Sequence, residues 1–441
     1  MNMTDRVTSR LKPLMNLRPL LPLGLILFLY LIIGGLFAIR MPAWQTPDEP
    51  AHYNYVRQLA QTGVLPVIEP SDWTPGLVPI GPDNRNVAVD FITYEDHQPV
   101  LFYALAVPAF RLFNGSLVAL RLFGLVISVS TIVFAFLSVR TLFPTQPGVM
   151  AFAAAFVALL PQHVHSMAGF NNDALSEALL ALTLFVCVQL LVRGVSTPKM
   201  IVLAVSVGLA LLTKAQAYLA LPLAVIGLWL AYQPRTWRLL AAPALACLIG
   251  APLWLRNIST YGGLDFLGLQ KHNLVVVGQP TTAMLIEKLG FGGAMFKLLR
   301  TTFQSFWGQF GWMTIPLNDK FYLGFLAFTI LSAVFFMLWW QRSQSAKTQT
   351  PAQNKALTLM ACLALMTVLA FAWYNLQFEQ HQGRYLYPAL IPIATAISLG
   401  WHFALRRFAR LNRWAWLGLT LVLAVLDVYL LLRVILPQMK A

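Results

Sequence analysis

Three short stretches of this chain bring carboxylates and histidines together at spacings that suit acid–base work. In Asp48-Glu49-Pro-Ala-His52 two acids adjoin, and Asp48 and His52 lie four residues apart, on one face of a helix that starts there. In Tyr94-Glu95-Asp96-His97-Gln98-Pro99 two acids again precede a histidine. In Pro161-Gln-His163-Val-His165-Ser-Met-Ala-Gly169-Phe-Asn171-Asn172-Asp173 the acid opens a helix, with Glu177 one turn deeper on the same face. A carboxylate in such a setting takes a proton from a hydroxyl or organises a metal ion. The competing reading of Asp48 is an N-cap with acids offsetting the helix dipole. His163 and His165 resemble a metal pair, but no further ligands stand at fitting spacing.

Cations form the other half of the pattern. Arg121 begins an apolar run, Lys214 and Arg256 stand at the ends of others, and Arg384 lies in Gly383-Arg384-Tyr385-Leu-Tyr-Pro388. Lys271 and His272 fall in a polar segment beyond Arg256. Snorkelling toward headgroups accounts for any one of these. Several facing one pocket point to an anion, and a phosphate or diphosphate on a lipid fits arginine and lysine in charge and geometry.

The elements that hold these residues are membrane helices. The chain has 441 residues, 58% hydrophobic and 11% charged, and a mean hydropathy of +0.67. About 20 apolar residues span a bilayer, and the runs predict eleven spans: 20–39, 117–141, 148–165, 173–193, 200–214, 216–232, 238–256, 320–340, 355–375, 386–405 and 413–435. The first run is too long for a signal core and lacks an Ala-x-Ala site after it, so it reads as an anchor. Cys187, Cys247 and Cys362 all sit in apolar runs and read as core residues. No nucleic-acid motif is present. The net charge of +15 comes from Arg6, Arg10, Lys12, Arg18, Arg140, Arg193, Lys199, Arg235, Arg238, Arg342, Lys347, Lys355, Arg406, Arg407, Arg410 and Arg413. The positive-inside rule puts these in the cytoplasm, with Asp5 as the one acid beside them. The N-terminus is then cytoplasmic and the C-terminus outside. The other acids, except Asp427 in the last span, and every histidine except His402 fall on the outer side. Pro99–Phe113 is apolar but short and carries Pro108 and Arg111, and counting it as a span reverses every later loop. It therefore reads as a juxtamembrane helix on the outer surface. One membrane domain follows, divided as 1–256 with a first outer loop at 40–116, an outer loop at 257–319, and a four-span region at 320–441.

At these motifs the chain resembles the GT-C superfamily of membrane glycosyltransferases. Asp48-Glu49-Pro-Ala-His52 is similar to the Asp-Glu motif of protein O-mannosyltransferases and lipid A aminoarabinose transferases. Glu95-Asp-His97-Gln-Pro99-Val-Leu resembles the segment that closes their first loop, with Gln98 in place of a proline. Ala119-Leu-Arg121-Leu, Pro161 to Asp173, Leu211-Leu-Thr-Lys214 and Gly383 to Pro388 match further motifs in order. The second acidic motif also resembles that of oligosaccharyltransferase catalytic subunits, but with Asn171 and Asn172 ahead of a lone Asp173. The resemblance implies an all-α polytopic GT-C fold, with juxtamembrane helices in a large first outer loop. It implies a sugar donor on a polyprenyl phosphate or diphosphate such as undecaprenyl phosphate, and transfer at the outer face of a bacterial plasma membrane, with inversion. Asp48, Glu49 and Asp173 would be catalytic. Lys214, Arg256, Arg384, His97 and Arg121 would bind the donor phosphate. His52, Glu95, Trp307 and Tyr385 would line the substrate pocket. A divalent cation on Asp48 and Asp173 is left open, as is the acceptor, whether protein, lipid or glycan.

Two other classes compete. A polysaccharide ligase or polymerase shares the polyprenyl diphosphate donor, but leans on arginine and histidine without the first-loop Asp-Glu. A transporter or flippase calls for inverted repeats and broken midplane helices, and no such repeat is visible. Trp307-Gly-Gln-Phe-Gly-Trp312 suits either a sugar-stacking site or an interfacial aromatic anchor.

Overall fold

A computed structural model describes residues 20–76, 88–232 and 236–440 of the chain. The basic N-terminal tail, its Asp5, and Arg235 lie outside the described residues. The apolar runs form helices as their lengths require. Among the described residues, eight helices are long and apolar enough to cross a bilayer, and one further span is a bent pair. Two shorter apolar helices, Thr197–Leu211 and Ala215–Ala231, complete the eleven segments that the sequence predicts. The chain is an integral membrane protein.

The first span, α1 (Leu21–Arg40), leads into α2 (Glu49–Thr62) through a tight loop. Pro50 sits in the first turn of α2, where a missing N–H costs nothing, and Gly63 closes it in the left-handed region. The juxtamembrane helix α3 (Leu101–Leu112) packs against α2. Next comes α4 (Leu117–Leu142), capped by the Ser116 hydroxyl, which accepts from the Ala119 N–H. The bent pair is α5 (Pro147–Leu159) and α6 (Pro161–Met167), turned by 60° where Pro161 interrupts the hydrogen-bond ladder. Among the eight long helices the most buried is α7 (Asp173–Arg193), which runs along α4. The short α8 (Thr197–Leu211) and α9 (Ala220–Ala231) meet at Lys214, and α10 (Ala241–Tyr261) packs on α8.

The loop at 257–319 is largely helical. It holds α11 (Leu269–Val275) and α12 (Thr282–Trp307), the latter kinked at Gly290, followed by a two-residue hairpin pairing Gln309–Phe310 with Ile315–Pro316. The C-terminal region contributes α13 (Asp319–Ser345), α14 (Pro351–Asn375), α15 (Leu390–Ala404) and α16 (Ala409–Tyr429). A 3-10 turn at Gly383–Ala389 precedes α15, and a π turn at Leu430–Ile435 prolongs α16. Trp307 corrects one expectation. It is buried and stacks on Phe325 with ring centroids 4.6 Å apart, with Phe156 and Phe328 edge-on. It is neither a sugar platform nor an interfacial anchor, because its ring fills the packing between helices.

The loops at 40–116 and 257–319 meet. Ala51, Ile68, Ile92 and Tyr94 from the first form a small apolar cluster with Val275 and Val276 from the second. The Trp73 indole N–H also donates to the Val277 carbonyl at 2.7 Å.

Candidate active site

Asp48 sits at the turn into α2 with φ 66°, a left-handed conformation that favours glycine and costs an aspartate about 1–3 kcal/mol. Its side chain does not cap the helix. Instead the carboxylate turns inward, where Oδ2 accepts from Arg384 Nη2 at 2.6 Å and Oδ1 from the Tyr94 hydroxyl at 2.9 Å. Burial pushes the Asp48 carboxyl up, but the Arg384 guanidinium and the bonds from Arg384 and Tyr94 outweigh it. They hold the group below its ordinary value.

Asp173, the first residue of α7, forms an ion pair with Lys214 and stands 3.7 Å from Arg384 Nη1. Arg384 therefore bridges the two acids, its Nε fixed by Gln382 at 2.7 Å. Two glycines make this convergence possible. A Cβ on Gly383 would strike the α12 backbone at Phe306, and one on Gly169 would strike the Thr46 side chain. Without them the loops bearing Arg384, Asp173 and Asp48 could not approach.

A second layer orients these groups. Asn172 donates to Gln98 at 3.1 Å, and Gln98 donates to Glu95 at 2.7 Å. His52 Nδ1 lies 2.7 Å from the Tyr103 hydroxyl. Burial pushes the Glu95 carboxyl up to about 8, with Asp48 adding to the rise. It also pushes the His52 imidazole down to about 3.

A cavity of about 410 Å³ opens in front of this assembly. Asp48, His52, Glu95, His97, Lys214, Arg384 and Tyr385 line its charged side. Leu219 from the turn before α9, with Ala370 and Phe371 from α14, line an apolar side. Eight of the residues singled out in the sequence thus meet, with Asp173 behind Lys214.

Glu49, Arg121 and Arg256 do not. Glu49 and Arg121 are fully buried and paired through two hydrogen bonds of 2.6 and 2.7 Å. Arg121 also donates to the carbonyls of Ala38, Met41 and Pro42, and Glu49 accepts from the N–H groups of Trp44 and Phe170. These two residues lock the loop after α1 and cannot serve as catalytic acid and phosphate ligand, because every polar atom is taken inside protein. Arg256 bonds to the Pro66 carbonyl, Asn257 and Tyr261, outside the cavity. A divalent ion does not fit the acids either. Asp48 and Asp173 are already neutralised by Arg384 and Lys214, and no group of three metal-ligating side chains occurs among the described residues. His163 bonds to Glu177 at 2.9 Å, and His165 packs edge-on against Phe310, so they form no metal pair.

Sequence reasoning did not single out Tyr94, Gln98 or Asn172 as site residues. Tyrosine and amides carry no charge signal, and only their place inside the acidic motifs pointed to them.

Residues 96–259 match the family described as dolichyl-phosphate-mannose-protein mannosyltransferase. That segment contains His97, Asp173 and Lys214. No curated protein matches the chain. Among solved structures, ArnT from Cupriavidus metallidurans bound to undecaprenyl phosphate superposes with a TM-score of 0.50 at 14% identity. The superposition covers 95% of this chain and 73% of that one. An oligosaccharyltransferase from Archaeoglobus fulgidus, in complex with zinc and sulfate, aligns with a TM-score of 0.46 at 15% identity. The alignment covers 90% of this chain and 52% of that one. Over residues 96–259 the chain is thus similar to that mannosyltransferase family, and over nearly its whole length it shares the fold of ArnT.

Proposed function

We propose that the chain transfers a sugar from a polyprenyl-phosphate carrier to an acceptor hydroxyl at the non-cytoplasmic face of a bacterial plasma membrane. The observation that carries this reading is the two-sided cavity. One wall is charged, with Arg384 and Lys214 beside two acids, and the other is apolar and built from α14 and Leu219. An anionic head on an isoprenoid tail matches both walls. The undecaprenyl phosphate on ArnT is a ligand of that chemistry.

In this reading Asp48 is the base. The salt bridge and the Tyr94 hydroxyl keep it ionised, and it can take the acceptor proton once the donor phosphate draws Arg384 aside. A glycosyl phosphate already carries a good leaving group. Catalysis therefore rests on charge stabilisation at the departing phosphate, which Arg384 and Lys214 supply. Asp173 positions Lys214. Attack by the acceptor in a single displacement inverts the anomeric carbon. The acids are matched to cations, so no step is assigned to a metal.

The test is incubation of purified protein with a radiolabelled polyprenyl-phosphate sugar and a membrane extract as acceptor source. Release of polyprenyl phosphate with label in a new product is the expected result. Label that stays on the lipid defeats the reading. Asp48→Asn is expected to lower transfer by roughly 10²-fold or more, and full activity in that variant removes Asp48 from the role of base.

A further inference from the structure

The fixed charges that face the cavity already cancel. Arg384 and Lys214 are matched by Asp48 and Asp173. Glu95 adds little negative charge near neutral pH, because burial favours its protonated form. A phosphodiester donor brings one negative charge into this balance. Its cleavage breaks the bond between the anomeric carbon and the phosphate oxygen, forms the bond to the acceptor oxygen, and frees the acceptor proton to Asp48. The phosphate left behind is a monoester carrying two negative charges. Protonation of Asp48 offsets that charge only while the proton stays there, and once Asp48 is ionised again the site carries one negative charge more than with the donor.

Two histidines stand where the missing charge is needed. His97, from the end of the first outer loop, and His272, from α11, both line the cavity, with ring centroids 4.3 Å apart. The Nδ1–H of His97 faces the Tyr94 carbonyl at 3.4 Å, and that of His272 faces Asn273 Oδ1 at 3.2 Å. Each Nε2 then keeps its lone pair, with no donor to it among the described residues. Gly268, at φ 71°, lets α11 approach closely, since its Cβ would lie 3.1 Å from the His97 Cβ. The surroundings of the pair are mixed. Lys214 and His52 bear on His97, and Asp48 bears on His272. Burial favours the neutral form of both imidazoles, and an anion beside them opposes that preference. His52 is less suited, because its Nδ1 is engaged by Tyr103.

We infer that the His97–His272 pair binds one proton when the monoester product occupies the cavity, and so carries the positive charge that the arginine and lysine lack. This rests on the donor reading given above and adds to it the group that receives the reaction's proton after Asp48.

The experiment is titration calorimetry of the full-length protein in detergent with polyprenyl monophosphate. It is run at pH 8, where the free lipid is a dianion, in buffers of differing ionisation enthalpy. Uptake of about one proton per bound lipid is expected for Glu95→Gln, and more for the unmodified chain, where Glu95 also titrates near pH 8. In the Glu95→Gln background His97→Asn and His272→Asn are each expected to lower it, and the double variant to abolish it. Uptake that survives in the double variant, or vanishes in Glu95→Gln, overturns the inference. A second readout needs no histidine variant: in Glu95→Gln the Kd for the lipid is expected to rise close to tenfold per pH unit between 7.5 and 9. A flat profile overturns the inference. Binding without proton uptake removes the inference alone, whereas no binding heat at all removes the donor reading with it.

Discussion

Asp48 and Glu49 are neighbours with opposite fates, and one backbone angle separates them. The left-handed turn at Asp48 sends its carboxylate toward Arg384, while Glu49 points back into the loop at Arg121. In sequence two adjacent acids look alike, so the motif was legible but the division of labour was not. Arg121→Ala leaves the Glu49 carboxylate buried without its cation. It is expected to cost about 3–5 kcal/mol of stability, read as a lowered Tm or lost yield, and Glu49→Gln with Arg121→Met is expected to cost less. Full stability of Arg121→Ala would contradict the structural role given to the pair. Asp96 supports a pH prediction. Burial pushes its carboxyl up to about 8, and Oδ1 has no hydrogen-bond partner. A carboxyl raised on folding favours the folded state most at low pH, and that contribution fades as pH rises toward about 8. Asp96→Asn is therefore expected to match the unmodified Tm near pH 4 and to exceed it at pH 9. Equal Tm values at pH 9 would show that Asp96 titrates normally.

Among elements, long apolar runs were the easiest to read, because bilayer thickness alone fixes their length. The spans predicted at 200–214 and 216–232 leave one residue between them, and the structure joins them with a 3-10 turn after Lys214. The kink of helix α12 and the burial of Trp307 were not legible, since both depend on partners distant in sequence. Trp307→Ala is expected to destabilise by roughly 3–5 kcal/mol while leaving the KM of whatever folds unchanged. A raised KM at unchanged Tm would return Trp307 to the substrate pocket. Gly383→Ala forces the Arg384 turn away from α12. Transfer activity is expected to drop more than tenfold, beyond any change in Tm, because a shift of about 1 Å at a positioning group costs that much or more.

For the whole molecule, charge asymmetry predicts an orientation and the order of motifs predicts the fold, but convergence could not be read from a linear chain. Asp48 and Arg384 are 336 positions apart, and no local pattern foretells their contact. Orientation is open to labelling in intact cells. With Cys187, Cys247 and Cys362 replaced, a cysteine at Gln58 is expected to react with an impermeant maleimide from outside. One at Gln344 is expected to react only after lysis, and the reverse pattern inverts the topology. Arg384 has a last consequence for turnover. Under the proposed mechanism, its guanidinium covers one oxygen of the Asp48 carboxylate, so the proposed base is masked until a phosphate draws that arginine away. Catalysis then has a compulsory sequence, carrier lipid first and acceptor second. Acceptor present in excess over donor should not jam the resting enzyme, and initial-rate patterns should be those of ordered addition.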